Sequence, residues 1–158
     1  MDKITPFLWF DGNAEEAVNF YTSVFENAKI GTIHRWGDSG PAPKGSVLTA
    51  EFTLEGQKFV ALNGGPQYKF TPAVSFYVSC KDQKEVDYFW DKLAAGDQEH
   101  RCGWLVDKFG VSWQIIPDSL MGMLMDKNPA KSRAVMQALL KMSKIDIQTL
   151  KDAHANAR

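Results

Sequence analysis

The chain has 158 residues, 44% of them hydrophobic and 23% charged, a balance that excludes disorder and fibrous architecture. At roughly 100–200 residues per domain, that length describes one domain, or one domain with an appendage. The formal net charge of −1 excludes a strongly basic protein, so neither nucleic acid nor a membrane surface is expected as a partner.

In chain order, residues 4–10 form a short apolar run ended by Asp11-Gly12-Asn13, which predicts a strand and a turn. Ala14, Ala17, Val18, Tyr21, Val24 and Phe25 then fall at helical spacing. Asn13 is the expected N-cap, and Glu15 and Glu16 sit in the first turn where the helix dipole favours them. Strands are predicted at 29–36, 46–54 and 57–62. A loop over 37–45 separates the first two, and Glu55-Gly56 is the hairpin turn between the last two.

The order then restarts. Residues 73–80 predict a strand and Lys81-Asp82 a turn. Residues 83–95 predict a helix with the stripe Val86, Phe89, Trp90, Leu93, ended by Gly96. Two or three strands are expected within 98–117, with a turn near Lys108-Phe109-Gly110. The helices overlay without gaps, Glu15 to Tyr21 on Gln83 to Phe89, and the preceding strands overlay with them. A single βαβββ unit leaves one sheet face uncovered, so two such units, about 1–66 and 72–117, are expected to curve together around a cavity. The fold class predicted is therefore α+β: two βαβββ modules in an open, mainly antiparallel, barrel-like sheet spanning 1–117.

After Pro117 the composition changes. Residues 1–117 carry 11 Lys/Arg against 15 Asp/Glu, and residues 118–158 carry 7 against 4, so a slightly acidic body precedes a basic tail. Asn128-Pro129 is an N-cap followed by proline at the first helical position. Val135, Met136, Leu139, Leu140 and Met142 continue the helical stripe, and Asp146 is expected to cap a last helix through about 156. This gives a helical extension over 118–158. Met121, Met123 and Met125 are read as packing residues or as an adaptable subunit or ligand surface.

Paired βαβββ modules resemble the vicinal-oxygen-chelate superfamily of glyoxalase, bleomycin-resistance and ring-cleaving dioxygenase folds. Three stretches resemble its PhnB-like branch, which carries the description 3-demethylubiquinone-9 3-methyltransferase: Phe10 to Ala17 with Phe20-Tyr21; Cys102 to Pro117; and Asn128 to Lys131 through Val135-Met136-Gln137-Ala138 to Asp146. The superfamily resemblance implies a divalent metal held by His and Glu on the first and last strands of each module. Here the matching positions are Pro6 or Phe7, Val60 to Asn63, Ser75 and Gln114, and none is His, Asp or Glu. No metal and no other cofactor is expected. Methyl transfer from S-adenosylmethionine asks for a Gly-rich turn between strand and helix. Asn63-Gly64-Gly65-Pro66 is the nearest candidate, and it precedes no helix.

Other catalytic groups are sparse. His34, His100 and His154 form no close-spaced ligand motif and read as surface or capping residues. Glu51 faces either the cavity or solvent. Glu15 and Glu16 are adjacent on a helix and point apart, which makes them poor partners for acid–base work. Cys80 and Cys102 read as structural, with Cys102 the one to test for reactivity.

Strand alternation gives a cavity lining of Phe7, Trp9, Ser75, Tyr77, Ser112 and Gln114, with Asn63 at the far side. Val111, Trp113 and Ile115 then pack under helices. The alternative is that these rings fill a closed core. The function expected is binding of a small molecule without metal. The alternative is an enzyme of the same fold, including the quinone-related methyl transfer that the family description implies. The N-terminus shows no signal-peptide pattern, two cysteines make no disulfide framework, and no apolar run reaches 18 residues, so a cytoplasmic location is expected. A homodimer is expected, formed through the Met-rich stretch and the tail helices.

Overall fold

A computed structural model describes residues 2–95 and 100–158. The chain divides into two compact units at Phe70/Thr71. The first unit runs β1 (Phe7–Phe10), α1 (Ala14–Val24), β2 (Ala28–Arg35), β3 (Val47–Leu54), β4 (Gln57–Asn63). Its sheet has the order β1-β4-β3-β2, with β1 parallel to β4 and the other pairs antiparallel. The second unit runs β5 (Ser75–Cys80), α2 (Gln83–Leu93), β6 (Trp104–Val106), β7 (Ser112–Pro117), then α3 (Ser119–Leu124), α4 (Pro129–Leu139) and α5 (Ile147–Asn156). Its sheet has the order β5-β7-β6, again opening with a parallel pair and continuing antiparallel. The fold is α+β. Neither sheet closes into a barrel, and the second has three strands among the described residues.

The repeat is visible in the pairing. In each unit the first strand runs parallel to the last, because an 11-residue helix carries the chain back across one sheet face. In the first unit that face presents Leu8, Phe10, Ala50, Phe52, Leu54, Phe59 and Ala61, all buried under Ala14, Ala17, Val18 and Tyr21 of α1. Phe52 stacks between Tyr21 and Phe59, with centroids 6.1 and 5.2 Å away. The hairpin between β3 and β4 turns on Glu55 and Gly56, both at positive φ, the geometry that matches strand twist in a two-residue loop. Glycine holds the second of these positions without strain.

The two helices are capped differently. Asn13 takes the N-cap position of α1 as the sequence predicts, but its side chain makes no capping hydrogen bond. That bond comes from across the sheet, from Asn63, whose Oδ1 accepts from Ala14 N at 3.0 Å while its Nδ2 donates to Val47 O at 3.0 Å. Helix α2 is capped locally: Asp82 accepts from Glu85 N, and Glu85 reaches back to Lys81 N at 2.7 Å. It ends at Leu93 with Ala94 as C-cap, two residues short of the predicted end, and Gly96 lies outside the described residues.

The C-terminal helices belong to the second unit. Asn128 and Asp146 cap α4 and α5 as the sequence predicts. Ile116, Leu120, Val135, Leu139, Ile145 and Leu150 form one buried cluster, so the end of β7 and the tail share a core. The backbone docks as well: Cys102 N donates to Met142 O and Gly103 N to Ser143 O, both at 2.9 Å. Gly103 has φ +84, and a Cβ there would stand 2.8 Å from the Cδ1 atoms of both Ile116 and Ile145. Gln83 pins the turn before α5, donating to Ile145 O and accepting from Ile147 N. Met121 and Met123 lie in the short helix α3, and Met125 is its C-cap.

Candidate functional site

In the second unit the register sorts the predicted lining residues. Ser75 pairs with Ser112 and Tyr77 with Gln114 across the parallel strands. Val106 pairs with Ser112 and Trp104 with Gln114 across the antiparallel ones. Paired residues share a face, so Ser75, Tyr77, Ser112 and Gln114 stand on one face, with Trp104 and Val106 beside them. The opposite face carries Cys80, Leu105, Trp113 and Ile115, all buried, which is the division that alternation predicts.

The first face is partly exposed, with Ser112 buried on it. Tyr77 is 54% exposed and Trp104 36%. Gln114 Nε2 donates to Ser75 Oγ at 2.9 Å, fixing both side chains in the middle of the face. Ser79, further along β5, donates to the Asp118 carboxylate. The Tyr77 phenol is pushed above its ordinary pKa, first by burial and then by the Asp118 carboxylate, so it stays a neutral hydroxyl. A cavity of about 460 Å³ lies at this face, lined among others by Pro72, His100, Arg101, Trp104, Val106 and Ser112.

His100 and Ser112 mark this cavity. His100 Nε2 lies 3.0 Å from Ala95 O, and its ring meets Trp90 edge-on at 5.4 Å. His100 Nδ1 and Ser112 Oγ are buried and have no hydrogen-bond partner among the described residues. Sequence reading sets His100 aside as a surface or capping residue. Nothing in its local spacing signals the cavity, because the chain from 100 to 106 is brought there by the Arg101–Trp104 bridge and by strand β6.

In the first unit, Phe7 and Trp9 share the face turned away from α1 with Val60, Leu62 and Glu51. Phe7 is 53% exposed. Trp9 is tied down by its own loop: its Nε1 donates to Gly65 O at 2.9 Å, and Tyr68 meets its ring edge-on at 5.0 Å. A Cβ on Gly64 would fall 2.3 Å from the indole, so the Asn63-Gly64-Gly65 turn is shaped around tryptophan. Asn63 stands apart from Phe7 and Trp9. It pairs with Phe10 on the helix-facing side, where its amide holds α1 and β3. Glu51 lines a separate cavity of about 350 Å³ with Lys29, Thr32, Thr53 and Lys58.

The remaining polar groups have structural roles. Asp107, 3% exposed, accepts from Phe109 N and Val111 N through Oδ1 and from Trp113 Nε1 through Oδ2. Cys80 is fully buried, and burial, followed by Glu85, Asp118 and Asp82, pushes its thiol up to about 12. It is a thiol and no nucleophile at neutral pH. Cys102 Sγ donates to Leu139 O at 3.6 Å and packs against the tail core.

The positions implied for a metal hold Pro6, Phe7 and Val60 to Asn63 in the first unit, where only Asn63 has a polar side chain, and a mutually bonded serine and glutamine in the second. Among the described residues no group of three or more His, Cys, Asp or Glu stands close enough to hold an ion. These residues do not fit a transition-metal centre, which needs imidazole, thiolate or carboxylate ligands. Among the described residues, too, no helix is long and apolar enough to cross a membrane.

Comparison with known proteins agrees with this architecture. A PhnB protein from Bacillus cereus, named for 3-demethylubiquinone-9 3-methyltransferase, is 42% identical over 73% of this chain and 99% of its own, with a TM-score of 0.66. A Pseudomonas aeruginosa protein of known structure is 21% identical over 74% of this chain and 98% of its own, with a TM-score of 0.60, and shares the fold. No curated protein matches the chain. The 3-demethylubiquinone-9 3-methyltransferase family model matches residues 2–116, so α3–α5 and the tail stretch from Asn128 to Asp146 lie beyond it. With nearly three-quarters of its length matched, the chain belongs to the PhnB-like, 3-demethylubiquinone-9 3-methyltransferase family.

Proposed function

We propose that this protein binds a small, largely apolar molecule on the partly exposed face of the β5–β7–β6 sheet, without a metal. One observation carries the reading: a sheet face with exposed Tyr77 and Trp104 and half-buried Ser75 and Gln114 adjoins a cavity of about 460 Å³. That volume lies within the ordinary range for small-molecule sites, roughly 300–1,000 Å³, and its mix of rings with a few fixed polar groups is what such sites use. Ser112 belongs to the same lining. Phe7 and Trp9 hold the equivalent face of the first unit, and Asn63 serves it indirectly by anchoring α1.

Methyl transfer, the activity in the family description, is the weaker reading for this chain. The Asn63-Gly64-Gly65 turn is filled by the Trp9 indole, which keeps a cofactor from coming close to its backbone at Gly64. Calorimetric titration with naphthalene and 1,4-naphthoquinone tests the binding reading. Saturable binding, weakened at least fivefold by Tyr77→Ala or Gln114→Ala, supports it. Absence of saturable binding, or stoichiometric S-adenosylmethionine binding in its place, overturns it.

The protein is further proposed to act as a cytoplasmic homodimer. Its two cysteines form no disulfide, and Met121, Met125, Met136 and Leu140 are exposed apolar side chains on α3, α4 and their C-caps. A light-scattering mass of 17.7 kDa at all concentrations would remove the dimer.

A further inference from the structure

Resting on that reading, we infer that the cavity beside Trp104 selects an aromatic hydroxy compound, with His100 Nδ1 and Ser112 Oγ as its polar recognition pair. The starting point is the cost of these two atoms. Each is a buried polar atom with no partner among the described residues, in a molecule whose other buried polar side chain of note, Asp107, is saturated by three N–H donors. A buried group without a partner costs about 1–3 kcal/mol, and two beside one cavity point to partners supplied from within it.

The chemistry of the missing partner follows from the hydrogen bonds already made. Ala95 O can only accept, so His100 Nε2 carries the proton that faces it. In the neutral ring Nδ1 is then a bare acceptor, and the group that meets it must donate. Ser112 Oγ can donate or accept, and it stands on the cavity face because its register partners Ser75 and Val106 stand there. A hydroxyl has the chemistry each atom asks for: its proton can go to Nδ1, and its lone pair can receive a serine proton. The rest of the wall is apolar, from Pro72, Val106 and the Trp104 indole, which asks for a flat ring system. The exposed Arg101 lies at the same cavity, so a carboxylate is the competing chemistry. A carboxylate brings no proton to Nδ1, and the hydroxyl is favoured.

The experiment compares 2-naphthol, 2-methoxynaphthalene, naphthalene and 2-naphthoate on the full chain, by calorimetry and tryptophan fluorescence. The expected result is saturable 2-naphthol binding at least tenfold tighter than 2-methoxynaphthalene, which keeps the ring and oxygen and lacks the proton. Ser112→Ala removes an unpartnered hydroxyl, so the variant folds with stability equal to or above the parent while the tenfold preference shrinks. His100→Phe abolishes the preference. In the unaltered protein, 2-naphthol shifts the ¹⁵N resonance of His100 Nδ1 in the direction of an accepted hydrogen bond, a readout independent of either variant's folding. Equal affinity for 2-naphthol and 2-methoxynaphthalene, tighter binding of 2-naphthoate, or an unmoved His100 resonance overturns the inference while the binding reading stands. Failure of all four compounds to bind overturns both.

Discussion

Asp107 shows how a single residue organises the second unit. Its carboxylate gathers the backbone N–H groups of Phe109 and Val111 and the indole N–H of Trp113, so it fixes the turn between β6 and β7 and the main ring under α2 at once. Asp107→Asn turns a donor toward at least one of these N–H groups and is expected to cost about 1–3 kcal/mol, with Asp107→Ala at the upper end or beyond. Urea unfolding measures it, and an unchanged midpoint would contradict the role. Asn63 does similar work in the first unit. Asn63→Ala removes the only side-chain cap seen on α1 among the described residues and leaves Val47 O short of a donor, an expected loss of about 0.5–2 kcal/mol. The turn near Lys108-Phe109-Gly110 is legible in the sequence, but the carboxylate of Asp107 that holds it is not, because one of its partners is the Trp113 side chain. Nor is Asn63: its partner Ala14 lies 49 positions away, and only the parallel β1–β4 pairing brings them together.

At the scale of elements, strand alternation carries far. It separates Ser112 and Gln114 from Trp113 and Ile115 correctly because the side-chain period of a strand is fixed at two. The caps of α4 and α5 are legible too, since Asn128 and Asp146 act on backbone two and three residues ahead. What alternation does not supply is whether a face is covered. The tail illustrates this. Gly103 lies where the tail backbone crosses, and Gly103→Ala combines a left-handed backbone with contact on two isoleucines. The expected cost is about 2–4 kcal/mol, readable as a lowered Tm.

The same tail should respond to acid. Asp126 is held below its ordinary value of 3.8, first by Asn128 N–H and then by His154, and Asp87 first by Gln83 and then by Lys144. Lowered carboxylates contribute stability that is complete above 3.8 and is lost as pH falls through their folded values. Hydrogen exchange in α5 is therefore expected to stay slow through mildly acidic solution and to rise only below the ordinary carboxylate range. Fraying that begins near neutrality would contradict this.

For the whole molecule, the chain is a family core with an added segment. The matched residues end at Ile116, yet the segment beyond is built into the second unit through Leu150, Val135 and Ile145. Leu150→Ala is expected to cost about 2–5 kcal/mol. It should also speed exchange at Gly103 N–H, which the tail accepts through Ser143 O. A loss of protection confined to α4 and α5 would show instead that the tail unfolds separately. The change of charge at Pro117 marks this segment in the sequence as distinct; its integration is a property of the packed core.

By itself, the sequence determined the α+β class, the repeated order of elements, the faces of β5 and β7 and the caps of the last helices, while it set Asn63 on the wrong side of the first sheet. These depend on periodicity and on neighbours a few residues apart, which one chain displays directly. The tertiary structure alone decided the side-chain cap on α1, the loop that claims Trp9, the docking of the tail on Cys102 and Gly103, and the placing of His100 and Ser112 at one cavity. Each of these joins residues distant in sequence, and the energy that fixes them is the burial and saturation of polar groups in three dimensions, which no local pattern records.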